Sequence, residues 1–188
     1  MRLEKLQTMT VISLFAAIIG IMAQIAIPLP IGVPITGQTL AIGLTATILG
    51  SRYGTYATML YIAIGAVGIP VYAHLTSGVG VIVGPTGGFL IGFIPTVFVI
   101  GLYLEKTKFT IIHATIANII GTIITLTFGT VWLKISAELT WTVAFVSGFG
   151  PFLIVGLIKS FLAGWIGIII RERLLKANVI QSVIPKSG

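Results

Sequence analysis

The sequence predicts an all-α integral membrane protein with six transmembrane helices, forming one domain over residues 1–188. Of its 188 residues, 56% are hydrophobic and only 8% are charged, and the mean hydropathy is +1.14. Soluble domains carry about 25% charged residues, so this chain has too little polar surface to cover itself in water. The apolar runs are continuous and do not alternate with a period of two, which indicates membrane-spanning helices and not a β-barrel.

Six apolar segments follow one another along the chain. The first comes after Arg2 and Lys5; it is longer than a signal-peptide core and has no small-x-small cleavage site before Pro28, so we expect it to be retained. The second and third are short and glycine-rich, which predicts tilted helices or helices packed inside the bundle, and "GSRYG" at residues 50–54 predicts a tight turn between them. The segments cover residues 6–27, 37–50, 54–69, 86–104, 109–133 and 151–170.

Lysine and arginine residues concentrate on one side of the predicted membrane. Nine of them lie on the side that holds both termini, one (Lys134) lies on the other side, and Lys159 lies inside the sixth segment. Because basic residues favour cytoplasmic loops, both termini are expected in the cytoplasm. This distribution also accounts for the net charge of +7 without nucleic-acid binding.

Three predicted loops on the outer side are apolar, although loops that only join helices in water are usually polar. They cover residues 28–36, 70–85 and 134–150 and are rich in glycine, proline or aromatic residues. We interpret them as lids that pack on a bound molecule, with Pro34 and Thr36 in the first lid.

Lys159 is the most informative single residue, because it lies near the middle of the sixth segment. A charge at that depth costs about 2.5–3.5 kcal/mol on insertion scales. The chain has no aspartate, and its four glutamates lie at segment ends or in loops, so a ligand carboxylate is one source of the counter-charge. Backbone carbonyls or water are the alternative. Gln38 and Asn118 add amide groups, which predict either ligand contacts or hydrogen bonds between helices.

The stretch "GPTGGFLIGF" joins the second outer loop to the fourth segment. Gly84 and Pro85 end the loop, Thr86 is suited to cap the helix, and Gly87 and Gly88 allow a ligand to approach free backbone amides. Close helix packing is the alternative use of these glycines. The spacing matches neither a Walker A motif nor a dinucleotide-binding fingerprint.

No enzymatic site is predicted. The absence of cysteine excludes disulfides, thiolate metal sites and cysteine nucleophiles. Neither His74 nor His113 has an acidic residue at a helical spacing that would complete a catalytic triad or a metal pair. We therefore expect neither catalysis, nor a metal, nor a cofactor.

Small residues form a ridge along the first segment. Such a ridge permits the close approach of another helix, either from a partner protein or from this chain. The ridge consists of Ala16, Ala17, Gly20 and Ala23.

Four stretches in this order resemble the BioY family, the biotin-specific substrate-binding (S) components of energy-coupling factor (ECF) transporters. The resemblance covers nearly the whole chain. It is carried by "AQIAIPLPIGVPITGQTLAIGL" (23–44), "LGSRYGTYATMLYIAIGAVGIPVYA" (49–73), "GPTGGFLIGF" (84–93) and "PFLIVGLIK" (151–159).

The resemblance implies a six-helix S-component fold in a prokaryotic-type cell membrane. It implies capture of biotin from outside, and delivery by a transmembrane coupling protein and two ATPase subunits. The first outer loop and the last three helices would enclose the ligand, and the small residues of the first helix would face the coupling protein. An S component for another vitamin and a self-sufficient permease are the alternatives.

One position departs from the family pattern. The family often has an aspartate three residues before the lysine of the last motif, where this chain has Gly156. An aspartate–lysine pair is therefore not expected here, and Lys159 is left to meet either the carboxylate or the ureido oxygen of biotin.

Overall fold

We describe residues 2–29 and 33–181 of a computed structural model. Residues 1, 30–32 and 182–188, which include part of the first predicted lid and Lys186, lie outside the described residues. Two short strands, β1 (Ala26–Ile27) and β2 (Ile35–Thr36), form an antiparallel ladder with Ala26 opposite Thr36. The helices are α1 (Arg2–Ala23), α2 (Gln38–Ala66), α3 (Val79–Val83), α4 (Gly87–Lys106), α5 (Ile111–Ser136), α6 (Trp141–Gly148) and α7 (Gly150–Lys176), with a 3₁₀ turn at Ala73–Leu75.

Helix α2 is a hairpin of two helical halves. Gly50 breaks it with φ 77° and ψ −171°, a conformation that essentially only glycine adopts. Gln38 donates to the hydroxyl of Tyr61 at 2.5 Å, whereas a straight helix would separate the two residues by about 35 Å. Residues 38–49 and 51–66 therefore run antiparallel. The prediction of six long helices is confirmed for the described residues, although the turn is at Gly50 alone and the helix resumes at Ser51.

Charged side chains occupy both helix ends at this turn. The Glu105 carboxylate accepts hydrogen bonds from the Ser51 amide and hydroxyl, each at 2.7 Å, at the start of the second half. The Arg171 guanidinium donates to the Ile48 carbonyl, at the end of the first half, and stacks over the Phe109 ring. An anion at a helix start and a cation at a helix end both stabilise the helix dipole. The turn is thus held from α4 and from α7.

Replacing Gly50 by alanine is expected to destabilise the protein by about 1–3 kcal/mol. The new Cβ would force a Gly-only conformation and would overlap the Glu105 carboxylate. A lower midpoint of thermal unfolding in detergent measures this. Gly80→Ala is the control, because a Cβ there would have no atom within 4 Å; equal midpoints for both variants would contradict the prediction.

The hairpin lies at the centre of the bundle, where it packs against α1, α4 and α7. Among the described residues, four helical stretches are long and apolar enough to cross a membrane: Leu3–Ala23, Gly87–Lys106, Ile111–Ser136 and Trp141–Lys176. Two predicted outer loops contain helices that the sequence reading missed, since α3 falls within residues 70–85 and α6 within residues 134–150.

The ridge of small residues on α1 packs against this chain. Ala16, Gly20 and Ala23 are buried, and a Cβ at Gly20 would lie 3.4 Å from the Val71 side chain. Of the four ridge residues, only Ala17 is exposed. Three of the four ridge residues therefore pack inside the bundle, which favours the alternative in which the ridge meets this chain's own helices. Contact of the ridge with a coupling protein stays a prediction.

Candidate functional site

A cavity of about 370 Å³ lies between the helices of the bundle. This volume falls within the range of about 300–1,000 Å³ that is typical of small-molecule sites. Its walls come from the segment before α2, from the loop between α2 and α4, and from α4, α5 and the start of α7. Eight of the ten predicted ligand-contact residues line it: Pro34, Thr36, Gln38, Gly84, Pro85, Thr86, Asn118 and Lys159.

Lys159 is half-buried in the cavity wall on α7. Its ammonium donates to the Thr36 carbonyl at 2.6 Å and to the Thr39 hydroxyl at 3.0 Å. An ammonium has three donors, so one of them is left for a ligand. None of the acidic side chains in the described part of the chain lines the cavity. Lys159 thus links α7 to Thr36 in the first outer loop. Its positive charge faces the cavity without a described acidic side chain on the cavity wall.

Gly156 lies one turn before Lys159, where the family pattern often has aspartate. A Cβ at this position would lie 2.5 Å from the Thr122 side chain, so α5 occupies the space that an aspartate would need. The hydroxyls of Thr122 and Ser160 lie 2.9 Å apart on the cavity wall. The cavity wall near Gly156 thus carries two hydroxyls that bond to each other.

Gln38 is held by the protein itself. Its amide nitrogen donates to the Tyr61 hydroxyl at 2.5 Å, and its oxygen accepts from the Thr36 hydroxyl at 2.7 Å. It connects the two halves of α2 with the segment that bonds to Lys159. Gln38 lines the cavity. Both atoms of its amide nevertheless have partners within the protein, which suits a hydrogen bond between helices, the alternative to a ligand contact.

Asn118 presents its amide oxygen to the cavity region from α5. Its nitrogen donates to the Thr47 hydroxyl at 3.0 Å and to the Ala114 carbonyl at 2.8 Å, which uses both N–H groups and fixes the orientation of the amide. Within residues 2–29 and 33–181, its oxygen accepts no hydrogen bond. Gly43 makes room for this oxygen, because a Cβ there would overlap it. Asn118 thus offers a buried acceptor to a ligand.

The glycine stretch divides between the cavity and the helix contact. Gly84, Pro85 and Thr86 line the cavity, but Gly87 and Gly88 do not. A Cβ at Gly87 would overlap the Ile82 carbonyl, and one at Gly88 would overlap the Trp132 side chain.

At the start of α4, a backbone amide is bonded within the turn and is not free for a ligand. The Gly87 amide donates to the Gly84 carbonyl at 3.0 Å, and Thr86 makes no side-chain cap. The packing alternative therefore describes Gly87 and Gly88 better than direct ligand contact.

The sequence reading missed several residues that shape the site. The Trp132 indole donates to the Gly84 carbonyl at 2.9 Å and so fixes the loop against α5. Phe89, Phe93 and Phe152 supply apolar wall, and Thr39 bonds to Lys159. A single phenylalanine or threonine in an apolar segment cannot be recognised as a site residue from the sequence. Its role depends on which helices pack together around the cavity.

The two histidines lie apart. His74 lies on the cavity wall, whereas His113 lies near the start of α5, with its ring 3.5 Å from the Tyr103 hydroxyl. In the described residues, no group of three histidine, cysteine or acidic side chains is placed to hold a metal ion. The described lining residues offer the Lys159 ammonium, the free Asn118 amide oxygen and hydroxyls around apolar rings, which suits a small molecule with an acidic group and hydrogen-bond donors.

The family model for BioY matches residues 1–176. The chain belongs to the BioY family. Biotin transporter BioY2 of Lactococcus lactis subsp. cremoris (strain MG1363) is 42% identical over 178 residues, covering 95% of this chain and 97% of the relative. Probable biotin transporter BioY of Pyrococcus horikoshii is 31% identical over 170 residues, covering 90% and 97%.

A solved structure supports the same assignment. The crystal structure of the S-component for biotin from an ECF-type ABC transporter superposes with a TM-score of 0.83 at 28% identity, covering 92% of this chain and 94% of that chain. The six-helix bundle of this BioY member is therefore an S-component fold. The relatives named here are transporters, in line with the expectation that the chain is not an enzyme.

Proposed function

We propose that this BioY protein binds biotin in the cavity and serves as the substrate-binding subunit of an ECF-type transporter. The observation that carries the proposal is the placement of the Lys159 ammonium and the Asn118 oxygen on the wall of one apolar cavity. The BioY relatives, which are named as biotin transporters, support the choice of ligand.

Biotin matches the cavity in chemistry. It has an apolar chain that ends in a carboxylate, and a fused ring system that carries a ureido group with two N–H donors. The Asn118 oxygen is suited to accept from a ureido N–H, because its own nitrogen is already used. Lys159 is suited to the carboxylate or to the ureido oxygen. The rings of Phe89, Phe93 and Phe152 offer apolar area to the rest of the molecule.

The orientation follows from charge. With basic residues gathered on the side of both termini, we infer cytoplasmic termini and a cavity that opens to the outside of the cell membrane. Transport would then need an ECF coupling protein and two ATPase subunits, since this chain carries no nucleotide-binding motif. Of the four ridge residues on α1, Ala17 is the exposed candidate for contact with the coupling protein.

Titration of the purified protein with labelled biotin tests the ligand, and we expect saturable binding at sub-micromolar concentration. Unlabelled biotin should compete, whereas pantothenate, as a different acidic vitamin, should not. No saturable biotin binding would contradict the proposal, and displacement by pantothenate would favour an S component for another vitamin. Biotin uptake by proteoliposomes that contain this chain alone would favour the self-sufficient permease.

A further inference from the structure

One turn in the cavity wall has an unusual backbone. In the 3₁₀ turn Ala73–Leu75, His74 has φ 57° and ψ 33°, and Leu75 also has φ 57°. These two consecutive residues are in the left-handed region, which leucine rarely enters because its Cβ approaches the backbone too closely. Such a conformation persists only where surrounding contacts hold it.

The side chain of Gln24, which directly follows α1, holds this turn. Its oxygen accepts from the Leu75 amide at 3.0 Å. Its nitrogen donates to the Tyr72 carbonyl at 3.0 Å and to the Gly20 carbonyl at 3.0 Å. One amide group thus joins the two ends of the turn to each other and ties both of them to α1.

The turn held in this way is part of the cavity. Tyr72, Ala73, His74 and Thr76 line it, whereas Leu75 does not and is 67% exposed. Tyr72 is also fixed to α2, because its hydroxyl donates to the Ile62 carbonyl at 2.6 Å. Gln24 itself does not line the cavity. Its amide therefore acts on the cavity only through the turn.

We propose that Gln24 is a positioning residue, which keeps residues 72–76 in the conformation that forms one wall of the cavity and thereby slows the release of the ligand. The proposal rests on the proposed function only for the identity of the ligand. It assigns a binding role to a residue at the end of α1, outside the cavity.

The test uses the full chain in detergent or nanodiscs, with the variant Gln24→Leu. We expect faster amide hydrogen exchange confined to peptides that cover residues 71–78, and dissociation of labelled biotin that is about ten-fold faster, while the association rate changes less. Gln24→Glu is the second variant: it keeps an acceptor for the Leu75 amide but places an oxygen against the Tyr72 carbonyl, and we expect it to accelerate both processes as well.

Gln7→Leu is the matched control. Gln7 lies on α1, the helix that Gln24 follows, and its amide also donates to backbone carbonyls, those of Asn178 at 3.0 Å and Val179 at 2.9 Å, away from the cavity. We expect it to leave exchange at residues 71–78 and biotin dissociation unchanged. Wild-type exchange or wild-type dissociation in both Gln24 variants would overturn the proposal. If the wild-type protein binds no biotin, the proposed function fails, and the exchange measurement alone still decides whether Gln24 holds the turn.

Discussion

Replacing Lys159 by methionine is expected to weaken biotin binding about 10- to 100-fold. The estimate follows from about 1.5–3 kcal/mol for a hydrogen bond to a charged group, because the ligand would lose the Lys159 ammonium, which also bonds to Thr36 and Thr39. Methionine keeps an unbranched apolar stem of similar length. Equilibrium titration with labelled biotin measures the change.

The same substitution should not destabilise the protein, since it removes a half-buried charge, and none of the acidic side chains in the described ranges lies on the cavity wall. The control is Lys108→Met, which removes an exposed charge in the segment between α4 and α5 and should leave affinity unchanged. Unaltered affinity in Lys159→Met would remove Lys159 from the site. A loss of folded protein would instead show that the bonds from Lys159 to Thr36 and Thr39 stabilise the fold.

Replacing Asn118 by leucine is expected to weaken biotin binding by a factor of about 5 to 150. The loss of the buried acceptor would leave a ligand N–H without a partner in an apolar surrounding, at a cost of about 1–3 kcal/mol. Thr47 would not be left unsatisfied, because its own hydroxyl also donates to the Gly43 carbonyl at 2.8 Å. Isothermal titration of the variant with biotin gives the measurement.

Thr47→Val is the matched comparison for Asn118. It removes the hydroxyl that orients the Asn118 amide but keeps the Asn118 oxygen, so we expect a loss of only about five-fold, the value of one ordinary hydrogen bond. An equal loss in the two variants would indicate that the orientation of the Asn118 amide accounts for the whole effect on affinity. Full affinity in Asn118→Leu would exclude the oxygen as a ligand contact.

The long helices could be predicted from the sequence because their signals are local. A run of apolar residues, a glycine at a turn and basic residues in loops each act within a few residues of their own position. This is why six helices were predicted at nearly their observed places. The short helices α3 and α6 were missed because both lie in apolar stretches between the long helices, where composition does not separate loop from helix.

The site could be predicted only in part. Lys159, Gln38 and Asn118 were recognisable as polar groups in apolar segments, and each lines the cavity. Their individual roles depend on partners that are 123, 23 and 71 residues away along the chain, namely Thr36, Tyr61 and Thr47. No local pattern encodes those distances. Gln24 gave no signal because one glutamine at the end of a helix is ordinary in composition.

The sequence by itself determined that this protein spans a membrane, how many long helices it has and which polar residues are costly to bury, because composition and hydropathy act through solvation, residue by residue. Only the tertiary structure decided which of those polar groups remain free for a ligand. Packing brings Tyr61 to Gln38, puts Thr122 where an aspartate would stand and buries Ala16, Gly20 and Ala23 inside the chain. Hydrogen bonding is short-ranged and saturable, so it is the fold that assigns each donor to its acceptor.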